Sequence, residues 1–301
     1  MSSARLAILY EHPEWFRPLF AALRGRALDY EEWRAESLVL DDSRRRYPDL
    51  VLNRMSASAA WRGHGCAQFA VAEYLSLLES RGVDVINGSA AYSVEVSKLR
   101  QAAVFRKAGV RHPATVAVNR RELLPEAARS LGYPLFVKPN CGGAGHGVHR
   151  FDDESALLAT LSAIEPSIDG LFLLQTAAPA GDLLRIEILG SEILYAVRID
   201  RDPEQFALCP ADACGGGVRF TPVQLPVALE REALAIARAA RLDLGGVECF
   251  LDPRTGDAVF YDINALSNFV ANARDLLGFC PTSRLVDFVA RRLNSAPLSR
   301  F

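Results

Sequence analysis

Short apolar runs separated by segments of helical spacing organise the first part of the chain. "RLAILY" (5–10) and "LVLN" (50–53) are mostly apolar segments of strand length, the pattern of parallel strands buried on both faces. Helical spacing is expected around 15–24 and again over "CAQFAVAEYLSLLESRG" (66–82), which ends on Gly82, a fitting helix terminator. "VDVIN" (83–87) returns as a strand, so residues 1–95 read as an open α/β unit. The same alternation then gives a helix over 97–110, a strand in "PATVAV", a helix in "NRRELLPEAARSLG" and a strand in "PLFVKP". From residue 171 the pattern becomes strands in succession, "LFLLQTA", "LLRIEILGSEILYAVRI" and "GVECFLDPRTGDAVFYDIN", followed by helices at about 268–277 and 282–294. Residues 201–222 read as one long loop, a length at which loops are often functional.

Two of these segments are hairpins that aim polar groups. In "GVECFLDPRTGDAVFYDIN" a register centred on Thr255 sets Glu248 opposite Asp262 and Phe250 opposite Phe260. Period-two alternation then puts Glu248, Phe250, Phe260, Asp262 and Asn264 on one face, with Val247, Cys249, Leu251, Val259, Tyr261 and Ile263 on the other. Opposed carboxylates at about 5 Å repel unless a positive charge lies between them. A hard divalent cation such as Mg²⁺ would fill that role, with the amide oxygen of Asn264 completing the oxygen set. On this reading, Glu248→Gln or Asp262→Asn would keep or raise stability in the absence of metal, because repulsion is relieved. In "LLRIEILGSEILYAVRI" the turn Gly190-Ser191 places Arg185, Glu187, Ala196 and Arg198 on one face. Two arginines so placed either hold an anion between their planar donors or are bridged by Glu187.

Composition narrows the class. The chain has 301 residues, half of them hydrophobic, and a formal net charge of −2. That length suits two or three subdomains, and the balance points to neither disorder nor a nucleic-acid partner. Six cysteines without framework spacing read as free thiols of a reducing compartment, Cys209 and Cys214 of "CPADAC" included. The N-terminal run meets charged residues at once and reads as a first strand, and no stretch nears a membrane span. A cytoplasmic protein with no membrane partner is the expectation.

Lysine usage adds the sharpest clue. Of 34 Lys plus Arg, only Lys98, Lys107 and Lys138 are lysine. Lys107 sits near a helix end as ordinary surface, whereas Lys98 and Lys138 adjoin apolar, ordered segments. A lysine is a compact point charge that reaches a single phosphate oxygen without a planar fork. Lys138 ends a strand and runs into "NCGGAGHGV", a glycine-rich stretch that matches neither the dinucleotide fingerprint nor the P-loop.

This order of parts, a helix opened by Lys98, "FVKPNCGGAGHGV", "LLQTA", an arginine hairpin and a carboxylate strand ending in "DIN", resembles the ATP-grasp superfamily. It is most similar to the RimK-like carboxylate–amine ligases, over about residues 83–293. The resemblance implies an α/β (α+β) ATP-grasp fold preceded by an open α/β domain. Its parts would be an N-terminal domain (1–95), a small subdomain with a glycine-rich lid (96–172) and a C-terminal subdomain with the metal site (173–301). It further implies that Lys98 and Lys138 bind ATP phosphates under a lid containing Gly142, Gly143, Gly145 and Gly147. Gln175, Thr176 and Ala177 would line the adenine slot through main-chain groups, and Asp182 would approach the nucleotide. Glu248, Asp262 and Asn264 would hold Mg²⁺, with Mn²⁺ as a substitute, and Arg185 and Arg198 would hold the transferring phosphoryl group or the substrate carboxylate. Ser267 and Asn268, in "NALSNF" where RimK-type ligases read toward S-P-G, would touch substrate. The implied activity is ATP-dependent joining of a carboxylate to an amine, on amino acids or peptides, through an acyl phosphate. Two rivals keep the fold: a nucleotide-binding regulatory module without chemistry, and a phosphotransferase. A homo-oligomer is compatible with either reading.

Overall fold

The computed structural model of the chain describes residues 5–43, 46–143, 145–178, 181–200 and 218–295. The "CPADAC" cysteines lie outside the described residues. Three sheets carry the fold. The first is parallel, with order β2-β1-β3-β4, from β1 (Leu6–Tyr10), β2 (Tyr30–Arg34), β3 (Leu50–Arg54) and β4 (Asp84–Ile86). All five residues of β1 and of β3 are buried, as the apolar run of β1 requires, and in β3 the burial extends to Asn53 and Arg54. One face packs on α2 (Gly65–Ser80) and the other on α1 (Arg17–Gly25) and α9 (Pro281–Ser295). The C-terminal helix thus belongs to the N-terminal layer, because Leu285, Val286, Val289 and Leu293 seal the side of the sheet that α1 covers in part.

The second sheet, β5-β8-β6-β7, is antiparallel and uses β5 (Thr115–Val118), β6 (Leu135–Pro139), β7 (His149–Phe151) and β8 (Phe172–Thr176). Helices α5 (Leu124–Leu131) and α6 (Glu154–Thr160) cover it. A boundary at residue 172/173 would cut β8, so this sheet closes after Thr176. The third sheet runs β11-β10-β9-β12-β13, from β9 (Leu183–Leu189), β10 (Glu192–Asp200), β11 (Arg219–Pro222), β12 (Leu244–Leu251) and β13 (Ala258–Asn264). On one face α4 (Lys98–Ala108) and α7 (Val227–Ala240) bury Leu184, Ile186, Ile188, Val247, Cys249 and Phe260. The helix opened by Lys98 therefore packs on the third sheet rather than the second. Helix α3 (Ser89–Glu95) packs on α4 and α2. Helix α7, the charged edge strand β2 and the short β7, β11, α3 and α6 are additions to the elements expected above; residues 219–222 pair with β10 instead of ending a loop. No helix among the described residues is long and apolar enough to cross a membrane.

Two β-bulges correct the faces expected for the hairpins. In β12/β13 the register holds at Glu248↔Asp262 and then shifts, so that Cys249 opposes Phe260 and Phe250 opposes Val259. Tyr261 is the extra residue. The bulge sends Phe260 into the core at 0% exposure, where it packs near Phe105, and turns Tyr261 toward Phe250, ring centroids 4.9 Å apart. In β9/β10 the shift lies between Ile193 and Tyr195, leaving Leu194 as the extra residue. Beyond it Val197, not Ala196, opposes Arg185, and Arg198 opposes Leu184. Slipping a strand by one residue moves every later side chain to the other face. Arg185 and Arg198 therefore lie on opposite faces and form no common clamp.

The bulge in β13 makes a discriminating prediction. Phe260→Ala should lose ~3–5 kcal/mol of stability, as expected for a buried aromatic, whereas Tyr261→Ala should lose much less. Urea denaturation of the two variants reads the difference; equal losses would place both rings in the core.

Candidate active site

The site begins on the face of the third sheet turned away from α4 and α7. Glu248 and Asp262 are cross-strand partners, as expected, and Asn264 follows one pleat on. The two carboxylates are not left to repel. Arg185 lies beside Glu248 on β9, and its Nη1 donates to Glu248 Oε1 at 2.8 Å. Lys98 Nζ donates to Asp262 Oδ1, and the Tyr261 hydroxyl donates to Glu248 Oε2. Burial pushes the Glu248 carboxyl up, against the opposing pull of Arg185. Burial would lower the Lys98 ammonium, yet Asp262 holds it above its ordinary value. Each carboxylate thus has its own cation.

Arg185 is 3% exposed and all three of its nitrogens are engaged: Nε on Glu187 at 2.6 Å, Nη1 on Glu248, and Nη2 on the Ser267 hydroxyl at 3.1 Å. The anion-holding role expected of it is taken up by these internal acceptors, and Arg185 acts as a brace for Glu248. Gly246 makes room for that brace. A Cβ there would sit 2.9 Å from Glu187 Oε1 and 3.0 Å from Arg185 Nη2, closer than packing allows. Arg198 lies at the rim, with Nε on Asp200 at 2.9 Å and Nη1 3.9 Å from Asp182. Asp182 is exposed there, lining the cleft mouth.

The two lysines are joined by Asn140, which sequence reasoning missed. The Asn140 carbonyl accepts from the Lys98 main-chain N–H at 2.9 Å, and its Oδ1 accepts from Leu99 N–H, also at 2.9 Å. Helix α4 is thereby capped by the residue that follows β6, the strand bearing Lys138; the Ser97 hydroxyl adds the usual N-cap bond to Arg100. Lys138 Nζ donates to Gln175 Oε1 at 2.6 Å across the β6/β8 pair, and Gln175 Nε2 donates on to Thr115. Burial, with Lys98 adding to it, lowers the Lys138 ammonium to about 8.

The cleft between the second and third sheets measures about 640 Å³ and is lined by Lys98, Lys138, Gln175, Glu248, Asp262 and Asn264, with Phe136, Phe250 and Tyr261 as apolar walls. That volume is typical of a small-molecule site. Gly142, Gly143, Gly145 and His146 of the glycine-rich stretch border it, as do Thr176 and Ala177. The stretch rests on the N-terminal domain: a Cβ on Gly142 would meet Trp61 Nε1 at 3.4 Å, and one on Gly143 would meet Ser58 at 3.4 Å. Gly145 and Gly147 have φ of 74° and 69°, conformations that favour glycine. The main-chain N–H groups of Thr176 and Ala177 already donate to Ala114 and Pro134 carbonyls at 3.0 and 3.1 Å. Any main-chain contact to a base from these two residues must therefore come from other groups. Ser267 is fully buried behind the cleft and Asn268 follows it half-buried.

No cluster of three His, Cys, Asp or Glu residues suited to a metal occurs among the described residues. The set present is two carboxylates and an amide oxygen, the all-oxygen chemistry that suits Mg²⁺ when substrate phosphates supply further ligands. By donor type the residues fit the ion.

The pairing overturns the stability expected from repulsion. Glu248→Gln should now lose ~1–3 kcal/mol without ligand, because Arg185 and Tyr261 lose a charged acceptor while Arg185 keeps its pair with Glu187. Asp262→Asn should lose ~1–3 kcal/mol, since the more accessible Lys98 loses a charged acceptor. Chemical denaturation of both variants tests this, and a gain in stability for either would mean that repulsion between the acids outweighs their pairing. Lys138 supplies a pH test. Its pKa is depressed in the free protein, so its charge is lost as pH rises through about 8. A bound polyphosphate favours the charged form and raises that pKa. Nucleotide affinity should fall above pH 8, and binding at pH 8 should take up about half a proton, read by calorimetry in buffers of different ionisation enthalpy. No proton uptake would mean Lys138 keeps away from the phosphates.

No family profile matches the chain. It is 26% identical to a D-alanine–D-alanine ligase of Synechococcus sp. (strain RCC307) over 195 residues, 60% of this chain and 56% of that protein. A probable alpha-L-glutamate ligase of Marinobacter nauticus (strain ATCC 700491 / DSM 11845 / VT8) is 24% identical over 212 residues, 68% of this chain and 65% of the relative. The chain thus spans only part of the length of the curated relatives it matches. Among solved structures, the ATP-grasp ligase PsnB, complexed with a phosphomimetic variant of its minimal precursor, Mg and ADP, superposes with a TM-score of 0.69 at 17% identity. That match covers 97% of this chain and 99% of PsnB. The third sheet with its paired acids, the second sheet with Lys138 and its glycine-rich stretch, and the N-terminal parallel sheet together reproduce the architecture of that ligase, and the chain has an ATP-grasp fold.

Proposed function

We propose that the protein is an ATP-dependent ligase that joins a carboxylate to an amine, on amino acid or peptide substrates. The observation that carries this reading is the convergence of Lys98, Lys138, Glu248, Asp262 and Asn264 on one cleft bordered by the glycine-rich stretch. A polyphosphate seated there meets two ammonium groups carried on separate elements. Lys98 and Lys138 would bind and orient its oxygens, and Phe136, Phe250 and Tyr261 would offer apolar walls for a base. Glu248, Asp262 and Asn264 would hold Mg²⁺, which when bound neutralises charge building on the transferring phosphoryl group. Arg185 and Tyr261 fix Glu248 in orientation and oppose the rise that burial imposes on its carboxyl.

In the first step a carboxylate oxygen of the acid attacks the γ-phosphorus, the bond to the bridging oxygen breaks, and ADP leaves an acyl phosphate. In the second the amine attacks the acyl carbon, inorganic phosphate departs, and the amine gives up a proton as the amide forms. Positioning and charge neutralisation account for both steps without a nucleophilic side chain. The names of the compared ligases, which act on D-alanine or glutamate, support an amino acid or peptide substrate here.

ADP release that requires both an acid and an amine, with a product heavier by their condensation, is the direct test. Lys138→Arg should lower kcat/KM for ATP about 10²–10³-fold, since a planar fork cannot take the place of a point charge beside the glycine-rich stretch, while cooperative thermal unfolding of the free protein is retained. ADP release independent of any amine would instead favour phosphoryl transfer alone.

A further inference from the structure

The strand that carries Asp262 and Asn264 lies at the edge of its sheet. Strand β13 has β12 on one side and no strand among the described residues on the other, and the bulge at Tyr261 breaks its pairing just before Asp262. An edge strand beside a bulge has the least fixed main chain of a sheet, because one row of its N–H and C=O groups finds no ladder. Here side chains fill that row. Gln101, on α4, donates from Nε2 to the Ile263 carbonyl at 2.8 Å and accepts on Oε1 from the Ile263 N–H at 3.2 Å. Its amide stands where the peptide group of a further strand would be; Asp262 Oδ1 shares the same N–H at 3.0 Å. Glu95, the last residue of α3, accepts on Oε2 from the N–H groups of Ala265 at 2.6 Å and Leu266 at 3.3 Å.

Glu95, Lys98 and Gln101 follow one another at a spacing of three in "EVSKLRQ", and all three reach residues 262–266. They do so differently. Lys98 holds the Asp262 carboxylate from the tip of a flexible stem. Glu95 and Gln101 are 7% and 1% exposed and hold main chain. Between them they engage every peptide unit from Asp262 to Leu266, Gln101 the two that flank Ile263 and Glu95 the two that follow. Ile263 points into the core, while Asp262 and Asn264 on either side of it line the cleft. The tilt of these peptide planes therefore sets where both side chains aim. The remaining bonds anchor the grip: Glu95 Oε1 accepts from the Ala57 N–H at 3.3 Å, and Gln101 Nε2 also donates to the Val94 carbonyl at 3.2 Å. The strand is thus framed by α3, α4 and the N-terminal domain independently of the lysine.

We infer that Glu95 and Gln101 are positioning residues for Asp262 and Asn264, fixing the main chain of 262–266 so that both oxygen ligands keep their aim on Mg²⁺ when Lys98 turns from Asp262 to a phosphate oxygen. This rests on the nucleotide and Mg²⁺ site proposed above, and adds to it two residues that touch neither. The division of labour follows from what each bonds. A contact to a carboxylate has to be given up if that carboxylate is to take a metal ion, whereas contacts to main chain persist through the exchange. Outer partners of this kind, which orient metal ligands without touching the metal, typically govern affinity by about 10–100-fold.

The test separates metal from nucleotide binding in the full chain. Gln101→Met keeps the side-chain length and loses both bonds to Ile263; Glu95→Gln turns an amide N–H₂ toward main-chain donors. For each, Mg²⁺ is titrated calorimetrically with a non-hydrolysable ATP analogue at saturation, and the analogue is titrated alone in EDTA. Mg²⁺ affinity should fall about 10–100-fold, while metal-free affinity for the analogue, which Lys98 and Lys138 supply, stays within about twofold. Ala102→Gly, which weakens α4 beside Gln101 without touching β13, is the control and should leave Mg²⁺ affinity within about twofold. Unchanged Mg²⁺ affinity in both variants, an equal loss in Ala102→Gly, or a parallel loss of nucleotide binding would overturn the inference. Failure of both variants to fold would assign the two residues to stability alone and overturn it equally. A wild type that binds no Mg²⁺ with the analogue present leaves nothing to position, and the inference falls with the site. The Mg²⁺ losses found without amine-dependent ADP release by the wild type would keep the inference and remove the ligase reading; such ADP release with unchanged Mg²⁺ affinities would do the reverse.

Discussion

Two ion pairs set side by side govern this site. Glu248 and Asp262 face each other across β12 and β13, where like charges alone would push the strands apart. Arg185 reaches one and Lys98 the other, and the site is assembled around those two contacts. The partners differ in kind. Arg185 is buried and fully engaged, and it belongs to the same sheet; Lys98 comes from the N-terminus of α4 on a flexible four-carbon stem and is held at its tip by Asp262. One pair is framework, and the other is able to exchange partners.

That asymmetry gives the free protein a stable, neutral arrangement of its acids. Under the proposed function a nucleotide would bring phosphate oxygens for Lys98, and Asp262 would then be free for a metal ion. Asp262 would keep a cationic partner throughout this exchange, since one cation would leave the carboxylate as another arrives. Asn140 ties the lysine-bearing helix to the strand carrying Lys138, so the two ammonium groups keep their spacing when either changes partner. Trp61 and Ser58 hold the glycine-rich stretch against the N-terminal domain, so three layers of the fold contribute to one cleft.

Much of this is legible in the sequence. The paired carboxylates follow from turn position and period-two alternation, and the lysines from their rarity in an arginine-rich chain. Residues 6–10 and 50–52 announce buried parallel strands by their apolar runs. The bulges are not legible, since an extra Tyr261 or Leu194 has no local signature; the core accepts Phe260 and the strand accommodates the remainder. Each bulge exchanges the faces beyond it, which is why strict alternation wrongly sets Arg198 on the face of Arg185 and Tyr261 on the face away from Glu248. The counter-ions of the acids are hidden for another reason. Lys98 lies 164 positions from Asp262 and Arg185 lies 63 from Glu248, so nothing short of the tertiary fold pairs them. Helix α9 is similar: its apolar stripe shows that it packs, but not that it packs on the first sheet.

The exchange of Lys98 from Asp262 to phosphate is the central claim, and metal titration reads it most directly. Calorimetric titration of Mg²⁺ into the free protein should show no binding, while the same titration with a non-hydrolysable ATP analogue present should show a saturable site. Saturable Mg²⁺ binding of equal affinity with and without nucleotide would contradict the account, because it would mean that Lys98 does not guard Asp262.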